Sequence, residues 1–131
     1  MPWRTVRLDE VPSTAEPGFW NQWAREPDYG RGWHSIGDHL GITGFGVNAN
    51  QVDAGRELIV PHNETEFGGQ EELYIIIRGR ARFVLDGEPV EVAEGGMLHI
   101  THEVEREAIA LEDGTAVLCV GGTPGEPYTP S

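Results

Sequence analysis

The chain has 131 residues and a mass of 14.4 kDa, the size of one domain with a core of its own. Its 22 acidic residues against 9 basic ones give a formal charge of −13, which argues against a nucleic-acid or anionic-membrane partner. The single cysteine, Cys119, excludes an internal disulfide, and its apolar surroundings from Ala116 to Val120 point to a buried thiol.

Residues 1–40 differ in texture from the rest of the chain. They hold all four tryptophans, Trp3, Trp20, Trp23 and Trp33, among Pro, Gly and charged residues with little alternation. Trp20 and Trp23 lie three apart, the spacing that puts two rings on one side of a short helix. This segment is expected to be an arm that packs its aromatic side on a sheet; an aromatic lid over a pocket is the functional alternative. The opening run MPWRTVRLDEVP lacks the apolar stretch of a signal peptide. No apolar run reaches the ~20 residues of a membrane span, so a cytoplasmic protein with no membrane partner is expected.

From Gly41 onward, short apolar runs end in turn residues. ITGFGVNANQV, RELIVPH and EELYIIIR come first, and the second half holds ARFVLDGE, VEVAEGG, MLHIT, VEREAIAL and TAVLCV. In the run from Glu71 to Glu88, Glu72, Tyr74 and Ile76 share one face and Leu73, Ile75 and Ile77 the other. Gly79 interrupts that run. Ala81, Phe83 and Leu85 then alternate towards Asp86-Gly87, a dipeptide that favours a tight hairpin turn. Seven or more short strands without a long helix between them predict an all-β sandwich or barrel. The last residues, GGTPGEPYTPS, read as a mobile or partner-clasping tail.

The strand region resembles the cupin family, jelly-roll (double-stranded β-helix) barrels that often hold one metal ion. In that family a first motif runs glycine, five residues, His-x-His, three or four residues, Glu, six residues, Gly; here Glu72 and Gly79 keep the last spacing. Counting from Gly95 into the second motif, whose pattern is glycine, five residues, Pro-x-Gly, two residues, His, three residues, Asn, puts Thr101, Glu103, Arg106 and Ala110 at its four later positions. The segment between the motifs, Arg80 to Glu94, has the length of a compact microbial cupin. The resemblance implies a cupin barrel over 41–122, preceded by the irregular arm (1–40) and followed by a tail (123–131). It also implies a homodimer, since cupins commonly pair through edge strands and the tryptophan-rich arm is suited to covering such an edge.

The departures bear on chemistry. His62 corresponds to the first histidine, but the second histidine's position is Glu64, and Arg106 stands where the last metal histidine would be. Arginine stays protonated and ligates no metal. Two readings are open. In one, a divalent ion (Fe, Mn, Ni or Zn) sits on His62, Glu64 and Glu72. In the favoured one, Arg106 replaces the ion, pairs with Glu72 and leaves the site without a metal cofactor.

His99 becomes a pocket residue if the Met97, His99 and Thr101 face points inward; His102, three residues on, is expected on the opposite face and does not chelate with it, while His34 and His39 carry no ligand spacing. The expected site is a barrel mouth presenting His62, Glu72, Tyr74, His99 and Arg106 to a small organic ligand, with Arg106 clamping a carboxylate. His62 and Glu72 are the expected acid and base of a lyase, isomerase or cyclase acting on a small anionic substrate. A metal-dependent cupin oxygenase and a non-catalytic ligand-binding or sensor cupin are the alternatives.

Overall fold

A computed structural model describes residues 2–13 and 19–129. In chain order, short 3₁₀ turns at Leu8–Glu10, Phe19–Gln22 and Tyr29–Gly32 lead to strand β1 (Trp33–His34) and helix α1 (Ile36–Leu40). Eight more strands come after it: β2 (Gly46–Val52), β3 (Glu57–His62), β4 (Glu71–Arg78), β5 (Arg80–Leu85), β6 (Glu88–Ala93), β7 (Met97–Ile100), β8 (Arg106–Ala110) and β9 (Thr115–Gly122). They form two antiparallel sheets, one in the order β1-β2-β9-β4-β7 and one in the order β3-β8-β5-β6. This is an all-β jelly-roll barrel: the strand spacing predicts the all-β class, and the family resemblance implies the jelly roll.

Alternation decides which side chains meet between the sheets. Along β4, Glu72, Tyr74 and Ile76 are buried while their neighbours are less so. Along β5 it is Ala81 and Phe83 that are buried. Tyr74, Ile76, Phe83, Leu58, Val117 and Cys119 join residues of both sheets in one apolar core.

Two turns are fixed by backbone chemistry. Asp86 and Gly87 have φ of 49° and 84°, the pair of positive angles that a two-residue hairpin needs to match strand twist. Gly79, between β4 and β5, has φ of 74°, and a Cβ there would lie 2.4 Å from Thr115 Oγ1. Only glycine fits that position without displacing β9.

The N-terminal arm is more than a cover. β1 pairs with β2, Ser13 bridges to His34, and Val11 is buried. Tyr29 enters the body of the barrel, where its hydroxyl donates to Leu58 O at 3.2 Å and accepts from Asn50 Nδ2 at 2.8 Å. Arg56 then ties the arm to the start of β3 through Glu26 and Asp28. The arm thus supplies both a strand and a core residue. Among the described residues no helix is long and apolar enough to cross a membrane.

Candidate functional site

His62 ends β3 and lies opposite Arg106 of β8 in the ladder. The register shifts between Ile59 and His62, and an irregularity of this kind re-aims the side chain after it. His62 Nδ1 sits 2.7 Å from Val60 O. A carbonyl can only accept, so Nδ1 carries the proton and Nε2 is left facing Glu64 Oε1 at 3.2 Å.

Glu64 comes just after the strand and is fixed by its own backbone. Its N–H donates to His102 O at 2.9 Å, and its carbonyl accepts from Phe67 N and Gly69 N at 3.0 Å each. Gly68 and Gly69, with φ of 89° and 65°, let the loop fold back to make those bonds. The Gly-containing segment between His62 and Glu72 is therefore what places the Glu64 carboxylate inside. The side chain is buried, and burial pushes its carboxyl up from the usual range; the Glu72 charge adds to this, while the His62 contact and Arg106 oppose it.

Glu72 meets a different environment. Its Oε1 accepts from Arg106 Nη1 at 2.8 Å and from Tyr74 Oη at 2.7 Å, and its Oε2 accepts from Cys119 Sγ at 3.0 Å. Burial, with the Glu72 charge beside them, pushes the Tyr74 hydroxyl and the Cys119 thiol well above their ordinary values, so both stay protonated as donors. Arg106 is fully buried. Its remaining bonds go to the carbonyls of Thr101 and Val104 through Nη2 and to Val104 again through Nε. The Glu72–Arg106 pair expected from the sequence is thus present, and Cys119 is buried as expected, with the added role of holding Glu72.

These groups border a cavity of about 780 Å³. His62, Glu64, Glu72, Tyr74 and Cys119 form its inner wall. Trp20 covers His62 at 5.0 Å between ring centroids, and it also meets Phe67 at 5.6 Å and Trp33 at 6.2 Å. The tryptophan pair expected to pack on a sheet therefore supplies the aromatic roof of the cavity through Trp20. Glu126 to Thr129 also line the cavity, with Tyr128 Oη 3.1 Å from where a Gly46 Cβ would stand. That stretch of the tail closes on this chain's own barrel.

Two expected pocket residues are displaced. His99 points outward on β7, its side chain 60% exposed, and pairs with Glu71 at 2.7 Å. The buried face of β7 is that of Ile100, so the face holding Met97 and His99 is the solvent face. Arg106 does not line the cavity: it lies behind Glu72 with its fork already engaged, and cannot clamp a ligand carboxylate. The Ala108 and Ala110 side chains beside it are themselves buried and open no room. Sequence reasoning missed Glu64 as a cavity carboxylate in its own right, together with Trp20, Trp33 and the tail.

His62, Glu64 and Glu72 each offer one ligand atom, all within 4.8 Å of one another. That spacing suits a cation.

No family model matches the sequence, and no curated protein matches it. Solved structures do. A cupin protein from Bacteroides fragilis is 31% identical, with 72% of this chain and 80% of that chain covered and a TM-score of 0.61. A sugar phosphate isomerase of a cupin superfamily from Silicibacter pomeroyi is 20% identical, covering 92% of this chain and 75% of that one at a TM-score of 0.62. KdgF from a Halomonas species is 19% identical, with 60% and 68% covered and a TM-score of 0.54. The last two are likenesses of fold.

Proposed function

The chain belongs to the cupin superfamily, and we propose that it binds a small organic molecule in the barrel cavity and exchanges a proton with it through His62 and Glu64. The observation that carries this reading is the pair itself. With Nδ1–H held on Val60 O, the mobile proton of His62 is at Nε2, 3.2 Å from Glu64 Oε1 and on the cavity wall. One proton lies between the two groups, shared by an imidazolium with a carboxylate or by an imidazole with a carboxylic acid. Burial raises the Glu64 carboxyl above its usual range, which favours its holding a proton beside His62, as the acid of an acid/base pair requires. A reaction that moves a proton without a change of oxidation state (isomerisation, elimination or cyclisation) is the class this arrangement serves.

The second carboxylate of the site is then Glu64. Glu72, first expected as the base, has its charge held by Arg106 and its oxygens occupied by three donors. Its part is to position the wall.

A divalent ion is the group the superfamily implies here. The three ligand atoms have suitable spacing, which supports a metal-dependent oxygenase as the second reading. The donor chemistry does not fit. An ion on Glu72 would share that carboxylate with a buried guanidinium, and the two cations would repel by several kcal/mol at ~5 Å even with strong screening. We therefore assign no step to a metal.

The test is incubation with pools of small metabolites in D₂O with chelator present, read by mass spectrometry for isomers, elimination products or deuterium uptake. The expected result is a change in one component that His62→Ala abolishes. A component bound but unaltered would make this a sensor, and turnover that chelator removes and Fe, Mn or Ni restores would make it an oxygenase. We also propose a homodimer through a barrel edge such as β7, whose Met97 is 64% exposed. Light scattering should give twice the 14.4 kDa chain mass, and a monomer would contradict it.

A further inference from the structure

We propose that the cavity is built for an organic cation, an ammonium group with apolar substituents whose charge meets Glu64 and whose substituents lie against Trp20 and its aromatic neighbours. This rests on the cavity being the ligand site, as proposed above, and not on catalysis there.

Charge on the cavity wall comes first. All nine basic residues of the chain are arginines, and none of them lines the cavity. The carboxylates of Asp38, Glu64, Glu72 and Glu126 do. His62 is the one titratable base on the wall, and it already faces Glu64. Among the described residues, an anionic ligand would meet no fixed cation and four carboxylates.

Glu64 then singles out where the positive charge goes. Glu72 has a permanent cation in contact; Glu64, 4% exposed, has none. Its Oε1 faces His62, and its Oε2 accepts no hydrogen bond among the described residues. A buried carboxylate with an unused oxygen on a cavity wall is costly unless a cation or a proton reaches it. An ammonium ion in the cavity would supply the missing partner at that oxygen.

The roof is of matching chemistry. Trp20 stands 5.0 Å from the His62 ring and makes close ring contacts with Phe67 and Trp33, and Tyr128 also lines the cavity. Aromatic faces attract alkylammonium groups through the ring quadrupole, most strongly where water is excluded. Aromatic rings and a carboxylate without a permanent counter-charge on the same cavity favour a cation over a neutral molecule of the same shape.

The experiment is a charge series on the full chain, read by calorimetry and by tryptophan fluorescence. The probes are choline, its carbon isostere 3,3-dimethylbutan-1-ol, and 3-hydroxypropanoate. Saturable choline binding, roughly ten-fold tighter than the isostere and without measurable carboxylate binding, is expected. Glu64→Gln, which changes charge and hardly changes shape, should bring choline and the isostere within about two-fold of each other. Equal or tighter binding of the isostere or the carboxylate, or a choline preference that survives Glu64→Gln, would overturn the cation assignment and leave the cavity as a ligand site. Failure of all three probes to saturate would overturn it as well. Loss of turnover in His62→Ala with choline selectivity intact would separate this inference from the proton-transfer reading.

Discussion

Two buried glutamates about one cavity have been given opposite treatments. Glu72 is the second residue of β4, paired on both sides, with Arg106, Tyr74 and Cys119 all donating to it. Glu64 sits on a loop after β3, faces a histidine that can lose its proton, and keeps one oxygen open. A carboxylate with a permanent cation and full hydrogen bonding is part of the architecture; one whose only partner is titratable has chemistry left to do. The residues aligned with a metal motif have thus separated here into a structural half and a reactive half.

Removing the permanent cation puts the greatest strain on this contrast. Arg106→Met leaves Glu72 charged and unpaired between the sheets and should cost about 3–5 kcal/mol of unfolding free energy, measured by urea denaturation. Adding Glu72→Met should recover most of that loss, because replacing a buried ion pair by apolar groups is often neutral. A double variant as unstable as the single one would mean that Arg106 acts through its carbonyl contacts to Thr101 and Val104 instead.

Tyr74→Phe removes one neutral donor to the charged Glu72 and should cost about 1.5–3 kcal/mol in the same assay. Cys119→Ala removes a weaker sulfur donor and a small side chain, and about 1 kcal/mol is expected. If Cys119→Ala proved the costlier of the two, the donor ranking around Glu72 would be wrong.

The smallest effect concerns pH and belongs to Glu64. Its carboxyl is held above the ordinary range in the folded state by burial, so the folded chain binds that proton more tightly than the unfolded chain. Its contribution to stability is therefore complete below the unfolded pKa and is lost as pH rises through the folded value. Glu64→Gln should remove this share, so the variant gains on the wild type as pH rises above the ordinary carboxylate range. Glu57, also buried and also shifted upward by burial, keeps its share in both proteins. Parallel pH profiles for wild type and Glu64→Gln would contradict the shift.

Much of the barrel was legible because alternation is a direct record of facing. The Glu72, Tyr74, Ile76 face, the Gly79 break and the Asp86-Gly87 turn all follow from local chemistry; the pairing of Glu72 with Arg106 came through the family resemblance, which put the arginine in the metal histidine's place. What escaped were features set by long-range packing. β7 carries apolar residues on both faces, so nothing in MLHIT says that Met97 and His99 look outward. Arg106 was correctly paired, yet its depth behind Glu72 depends on carbonyls of a neighbouring turn that no spacing reveals. Trp20 reaches His62 from an arm without periodicity, and the tail around Tyr128 has no pattern that marks it as cavity lining.

That Arg106 stands in the place of an ion is tested most directly by elemental analysis of protein purified without a metal-affinity tag, comparing wild type, Glu72→Gln and Arg106→His. The prediction is a wild type with no near-stoichiometric transition metal and an Arg106→His variant that takes up Zn or Ni on His62, Glu64, Glu72 and the new imidazole. Near-stoichiometric Fe, Mn, Ni or Zn in the wild type, lost in Glu72→Gln, would contradict it.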